Sequence, residues 1–291
     1  MGASFIHSTR TIAVGASCRA LPASCAGAST PCRAVITPES SVLNSDALSV
    51  RPRSAFTLIE TLVVIGIVAI LMGILLPSLG GAMRSAKATA SLASMRDLAM
   101  FAHMFSESNG DRFPRSSHSG FDVDVEDRWM PAYFSFTTGH SASSIDPAGP
   151  EWPEFVRERL RCPLDTRETA DPSWGLNVWF ELESHETGGR IWHRRSVLPR
   201  PEATVLFACV RAPRPDEWFS TDHLMAHFWY AQSPRDWELD PRRYGVAAGY
   251  AFADASVGRR RLGEVFDPDR EIDAFDPGKA GMGARPAPAE H

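Results

Sequence analysis

Residues 56–76 form an apolar run of 21 residues broken by one charge, Glu60. A helix rises about 1.5 Å per residue, so the run extends roughly 30 Å, the thickness of a bilayer's hydrocarbon core. The single carboxylate is the informative residue, because an acid at the bilayer centre costs roughly 2.5–3.5 kcal/mol and calls for a partner. Arg51 and Arg53 precede the run, followed by the small residues Ser54 and Ala55. A cut between Ala55 and Phe56 would place a new α-ammonium four residues from Glu60. A charge at the end of a helix and its counter-charge one turn in neutralise each other.

The residues Ala55-Phe56-Thr57-Leu58-Ile59-Glu60 resemble the class III signal of type IV prepilins and type II secretion pseudopilins, a small residue followed by F-T-L-I-E. The resemblance implies that an inner-membrane prepilin peptidase cuts before Phe56 and N-methylates it. It also implies assembly roles for Glu60 and Pro77, the fifth and twenty-second residues of the mature chain. The one departure is Ala55, where the family usually has Gly; it bears on how well the site is cut and leaves the membrane helix intact. Two plainer readings fit less well. A secretory signal has an apolar core of 7–15 residues with a small-x-small site after it, and this run is longer. A signal-anchor explains the length and the arginines but gives no reason for Glu60.

The chain of 291 residues has room for one ordinary domain plus a long helix. Residues 1–55 carry five arginines against two acids, so the rest of a chain of net charge -5 stands at -8. That acidity argues against nucleic acid as a partner. Residues 1–55 read as a leader, rich in Ser, Ala, Thr and Pro and long for its class. An internal GTG start at Val42 or Val50 would leave a short basic one. Its three cysteines lack metal-binding spacing. The adjacent arginines favour a cytoplasmic leader and an exported head, although Arg84 and Lys87 weaken the asymmetry.

The spacing predicts a helix over 56–108, its membrane part at 56–76, bent at Pro77 and soft at Gly80-Gly81. Leu79, Met83, Ala86, Ala90 and Ala93, then Leu98, Phe101 and Phe105, recur at i+3/i+4 spacing as the face for a head. Asn109-Gly110 and Pro114 mark the stop. The phrase FSESNGDRFP is similar to the one that closes the helix of many pseudopilins. The head, 109–276, reads as strands at 132–136, 175–181, 204–210 and 247–252, the last opening a hairpin, with a short helix at 152–161. All eight tryptophans fall in the head and suggest an aromatic core. Residues 277–291 read as a flexible tail. The fold class is α+β and pilin-like: a long N-terminal helix packed on a small antiparallel sheet.

The head carries a second resemblance, to prepilin-like proteins with C-P-x-D, then S-Y-G-x-N, then a terminal box H-x9-D-G-H-V. Cys162-Pro163-Leu164-Asp165 matches the first and Ser173-Trp174-Gly175-Leu176-Asn177 nearly the second. In the box Tyr244 replaces the His, Asp254 keeps its spacing, and Ala255-Ser256 stand for Gly-His. No catalytic activity is implied, and the chain shows no phosphate loop, nucleophile elbow or dinucleotide fingerprint.

On a strand Asp122, Asp124 and Glu126 would share one face and could offer oxygens to Ca²⁺, an ion that major pseudopilins often hold. The plainer reading is a solvated acidic edge. No other cofactor is expected. His223 and His227 at i,i+4 could share a metal on a helix, but a surface pair beside aromatic packing fits better. Cys162 and Cys209 could form a disulfide or stay as buried thiols, and Asp165 reads as a turn-former. The functional expectation is a filament subunit of the inner membrane, its partners the prepilin peptidase and other pilin-like subunits. The alternative is a single-pass anchored binding module whose Trp-rich head grips a sugar or surface polymer.

Overall fold

The computed structural model describes residues 57–119, 124–146, 149–169, 171–214, 217 and 220–283. The leader 1–55, Phe56, Asp122 and the last part of the tail, 284–291, lie outside them. Helix α1, Leu58–Ser108, is continuous over 51 residues with Pro77 inside it. It closes at Asn109, and the Asp111 N–H donates back to Ser106 O at 2.8 Å. Residues 58–87 are exposed throughout. From Ala88 onward a stripe of Ala88, Ser91, Met95, Leu98, Ala99 and Ala102 is buried, three and four residues apart. The expected face through Leu79, Met83, Ala86, Ala90 and Ala93 is corrected, since all five are exposed. Ser91, not its neighbour Ala90, faces inward because its hydroxyl has a buried partner, Tyr244 Oη, at 2.7 Å.

Five strands form the main sheet: β1 Trp174–Asn177, β2 Val205–Cys209, β3 His223–Leu224, β4 Ala248–Phe252 and β5 Val257–Arg260, in the order β3-β1-β2-β4-β5. Neighbours are antiparallel except β3, which runs parallel to β1 at the edge. Strands β1, β2 and β4 are buried along their whole length, so apart from Asn177 they read as apolar runs without polar alternation. Helix α1 packs on β4, β5 and β2. That approach is close at Gly249, where a Cβ would stand 2.5 Å from Tyr244 Oη and 2.8 Å from Met95 Sδ. A second ribbon pairs β6, Phe266–Asp267, with β7, Ile272–Asp273.

Three local expectations change. Residues 132–136 belong to helix α2, Trp129–Thr138, whose buried Trp129, Ala132 and Tyr133 follow helical spacing. Pro131 fits its first turn, where no intrahelical N–H is needed. The strand expected over 175–181 stops at Asn177, whose side chain accepts from the Trp179 N–H and turns Val178–Phe180 into a 3₁₀ turn. Residues 277–283 join the head: Ala280 is buried and its carbonyl accepts from Arg200 at 2.9 Å. The expected short helix is present as α3, Glu151–Arg159. The architecture is α+β and pilin-like.

The core is aromatic. Trp129, Trp174, Trp229, Tyr250, Phe207 and Phe275 are fully buried, with Trp229 stacked on Trp237 at 5.2 Å and edge-on to Phe275 at 4.8 Å. Trp192 and Trp237 are also buried, while Trp152 and Trp179 are half-buried.

Candidate functional site

The start of α1 is built around Thr57 and Glu60. Thr57 is the N-cap: its hydroxyl oxygen accepts from the Glu60 N–H at 3.3 Å, while Glu60 Oε2 accepts from the Thr57 N–H and hydroxyl, each at 2.8 Å. This reciprocal capping box satisfies two helix-end donors and gives the lone acid partners within its own chain. Sequence reasoning sought the partner in an ammonium at Phe56, outside the described residues, and missed Thr57. The T-x-x-E spacing at 57–60 was the available signal. Beyond the cap, α1 is long and apolar enough to cross a membrane, and none of its most apolar stretch is buried by the rest of the chain.

Residues 50–76 match a family model described as the prokaryotic N-terminal methylation motif. The chain carries that signal. The match takes in Ala55, Phe56 and Glu60 and ends one residue short of Pro77. Comparison with curated proteins and with solved structures returns no match. The family match covers residues 50–76 alone and takes in nothing of the head.

In the head, the residues that resemble C-P-x-D and S-Y-G-x-N meet. Ser173 Oγ accepts from the Cys162 N–H at 2.9 Å and donates to Asp165 Oδ2 at 2.5 Å. Asp165 also pairs with Arg167 at 2.5 Å, Arg243 at 2.6 Å and Arg161 at 3.6 Å. Burial pushes its carboxyl up, but Arg167, Ser173 and Arg243 outweigh that and hold it well below the usual carboxylate range. Asp165 is thus a buried hub for three arginines, more than the turn-former expected. Gly175 lies where a Cβ would stand 2.6 Å from Val210 Cγ2. Asn177 donates to Val205 O at 2.8 Å and Phe275 O at 2.7 Å. At the positions that resemble the terminal box, Tyr244 ties the head to α1 through Ser91, and Asp254 accepts from the Ser256 N–H at 2.8 Å.

Other candidates sit differently from their expected places. Asp124 and Glu126 are exposed, and 125–127 form a 3₁₀ turn, Val125–Asp127, so the strand face meant to align them is absent there; Asp122 lies outside the described residues. Cys162 and Cys209 are separate buried thiols. The Cys162 sulfur accepts from the Leu164 N–H at 3.4 Å and the Cys209 thiol donates to Gly249 O at 3.7 Å. The disulfide alternative is corrected accordingly. His223 and His227 share no helix: His223 is in β3 and His227 in the 3₁₀ segment Ala226–Ala231. His118 joins them, with ring centroids 5.5 and 6.2 Å away. His223 Nδ1 lies 2.8 Å from Asp222 Oδ1, whose carboxylate also accepts from the Ser117 N–H at 2.7 Å. Among the described residues no three His, Cys, Asp or Glu side chains are grouped to hold a metal ion.

Proposed function

We propose that this chain is a pilin-like subunit, cut between Ala55 and Phe56 by a prepilin peptidase and assembled through α1 into a type IV pilus or type II secretion-like filament. One observation carries the reading: 30 residues of a single helix, 58–87, are exposed and overwhelmingly apolar, while the same helix is buried against a head from Ala88 on. A greasy rod of about 45 Å needs a lipid or protein environment. The methylation motif at residues 50–76 supports the reading.

In this reading the processed chain waits in the inner membrane as a single-pass protein with its head exported. It leaves lipid when α1 packs against other subunits. Head-to-tail contacts of this kind do not close on themselves and so extend into a fibre. Glu60, already held by Thr57, would meet the Phe56 ammonium of its own chain or a neighbour, since an unpaired buried charge is costly. The role is structural. The anchored-binding reading asked for exposed aromatics on a Trp-rich head; the described tryptophans are buried or half-buried, and the exposed aromatics among the described residues are Phe136, Phe228 and Tyr230.

Mass spectrometry of the mature N-terminus tests the proposal. A chain beginning at N-methylated Phe56 is expected; one uncut at Ala55, or a head released by a cut beyond residue 87, would overturn it.

A further inference from the structure

We propose that the membrane-facing base of the head is an anionic-lipid contact, built from the turn at Val246 and the cations Arg84, Lys87, Arg259 and Arg261. The inference rests on the anchor reading above and adds a partner for the parked subunit. Strand β4 begins beside Met95 and ends near His103, whose Nε2 lies 2.5 Å from Ala253 O. The turn before β4 and the last residues of the antiparallel β5 therefore lie at the end of the head nearest the apolar rod.

At that end the Tyr244 N–H donates to Ala247 O at 2.9 Å, closing a turn that leaves Val246 72% exposed. No large apolar side chain of the described head is more open. Arg259 and Arg261 are exposed beside it, and the Arg259 guanidinium lies 5.8 Å from the centre of the Tyr244 ring. Arg84 and Lys87 stand four residues before Ala88 and Ser91, so they continue the head-facing stripe of α1 toward the membrane. None of these four cations has an ion-pair partner among the described residues. Glu264, which accepts from the Arg261 N–H at 2.8 Å, is the acid bonded beside them.

An exposed aliphatic tip at the same end of the head as four cations without an ion-pair partner among the described residues, on a chain otherwise acidic, suits a surface that is apolar below and anionic above. Arg84 lies about 12 Å along the helix from residue 76. The headgroup layer is roughly 5–8 Å deep on each side, a gap that long cationic side chains can span. Pro77 and the pair Gly80-Gly81 lie between the span and the head, in the exposed part of α1.

The test uses the full chain with Cys18→Ser, Cys25→Ser, Cys32→Ser and Val246→Cys. Cys162 and Cys209 are buried, so residue 246 takes the dye. An environment-sensitive fluorophore is read in nanodiscs of phosphatidylcholine, with and without phosphatidylglycerol. Blue-shifted emission, quenched by lipid-borne nitroxides, is expected only in the anionic discs and is lost at high salt. The partition constant is expected to fall roughly fivefold for each of Arg84→Gln and Arg259→Gln. Equal emission in both discs, or indifference to these substitutions, overturns the proposal. So does a shift that appears only when other subunits join, which would assign the face to protein contact. Failure to enter discs at all would remove the anchor reading itself, and recovery of the chain in the discs reports that separately.

Discussion

Asp165 shows how much one side chain can organise. Its carboxylate draws Arg161, Arg167 and Arg243 to one point and receives the Ser173 hydroxyl. Removing one partner of a buried ion network leaves uncompensated charge, which costs about 3–5 kcal/mol. Asp165→Ala is expected to lower stability by about that much in denaturant unfolding, and a loss within error of zero would sink the hub assignment. His227 makes a pH prediction. Burial, reinforced by His118, pulls it from 6.5 down to about 4, so the folded chain resists a proton that the unfolded chain accepts. Its contribution is full above pH 6.5 and is lost as pH falls toward 4. His223 runs the other way. Burial pushes it down, but the Asp222 hydrogen bond and charge raise it overall, so its contribution is full below pH 6.5 and is lost as pH rises through its folded value. His227→Gln should therefore flatten the acid limb of Tm against pH. An unaltered limb would refute the assignment.

At the scale of elements, the joint between α1 and the sheet depends on a few small contacts. Ser91 and Tyr244 share one buried hydrogen bond, and Gly249 lets the strand come close to both Tyr244 and Met95. Tyr244→Phe strands the Ser91 hydroxyl, and Ser91→Ala strands the phenol, each costing about 1–3 kcal/mol. The double variant is expected to lose clearly less than the sum, measured by a double-mutant cycle; strict additivity would mean that the bond does not tie the two elements. This joint also shows what a sequence can and cannot disclose. The rod, its stop at Asn109 and the strands at β2 and β4 were legible because periodicity and turn residues are local signals. The buried face was misplaced over 79–93 because alanines at several spacings look alike until a sheet selects among them. Residues 132–136 looked like a strand because a short apolar run has no period long enough to separate strand from helix. The meeting of Cys162, Asp165 and Ser173 was hidden, for Arg243, which completes it, is remote in sequence.

For the whole molecule, the division of α1 sets the behaviour. The apolar half is exposed and its first 26 residues bear one acid; in the proposed role Glu60 would bear on how the rod leaves lipid and not on how it enters. Glu60→Val should leave the chain in the membrane fraction while incorporation into sheared filaments falls at least tenfold, about 1.4 kcal/mol or more per contact. Undiminished incorporation would refute the assembly role. The same scale explains why residues 50–76 could be read so far from the sequence alone: a bilayer imposes length and polarity directly on a segment, whereas a head obeys only its own packing.

The two separate thiols have a consequence for how such a head matures. Burial pushes the Cys209 thiol up to about 12, so the sulfur stays protonated and unreactive at ordinary pH. These two cysteines then call for no oxidase and no disulfide isomerase, and the head can ripen in a reducing or an oxidising compartment alike. If the head is exported as proposed, redox chemistry would set no clock on its passage.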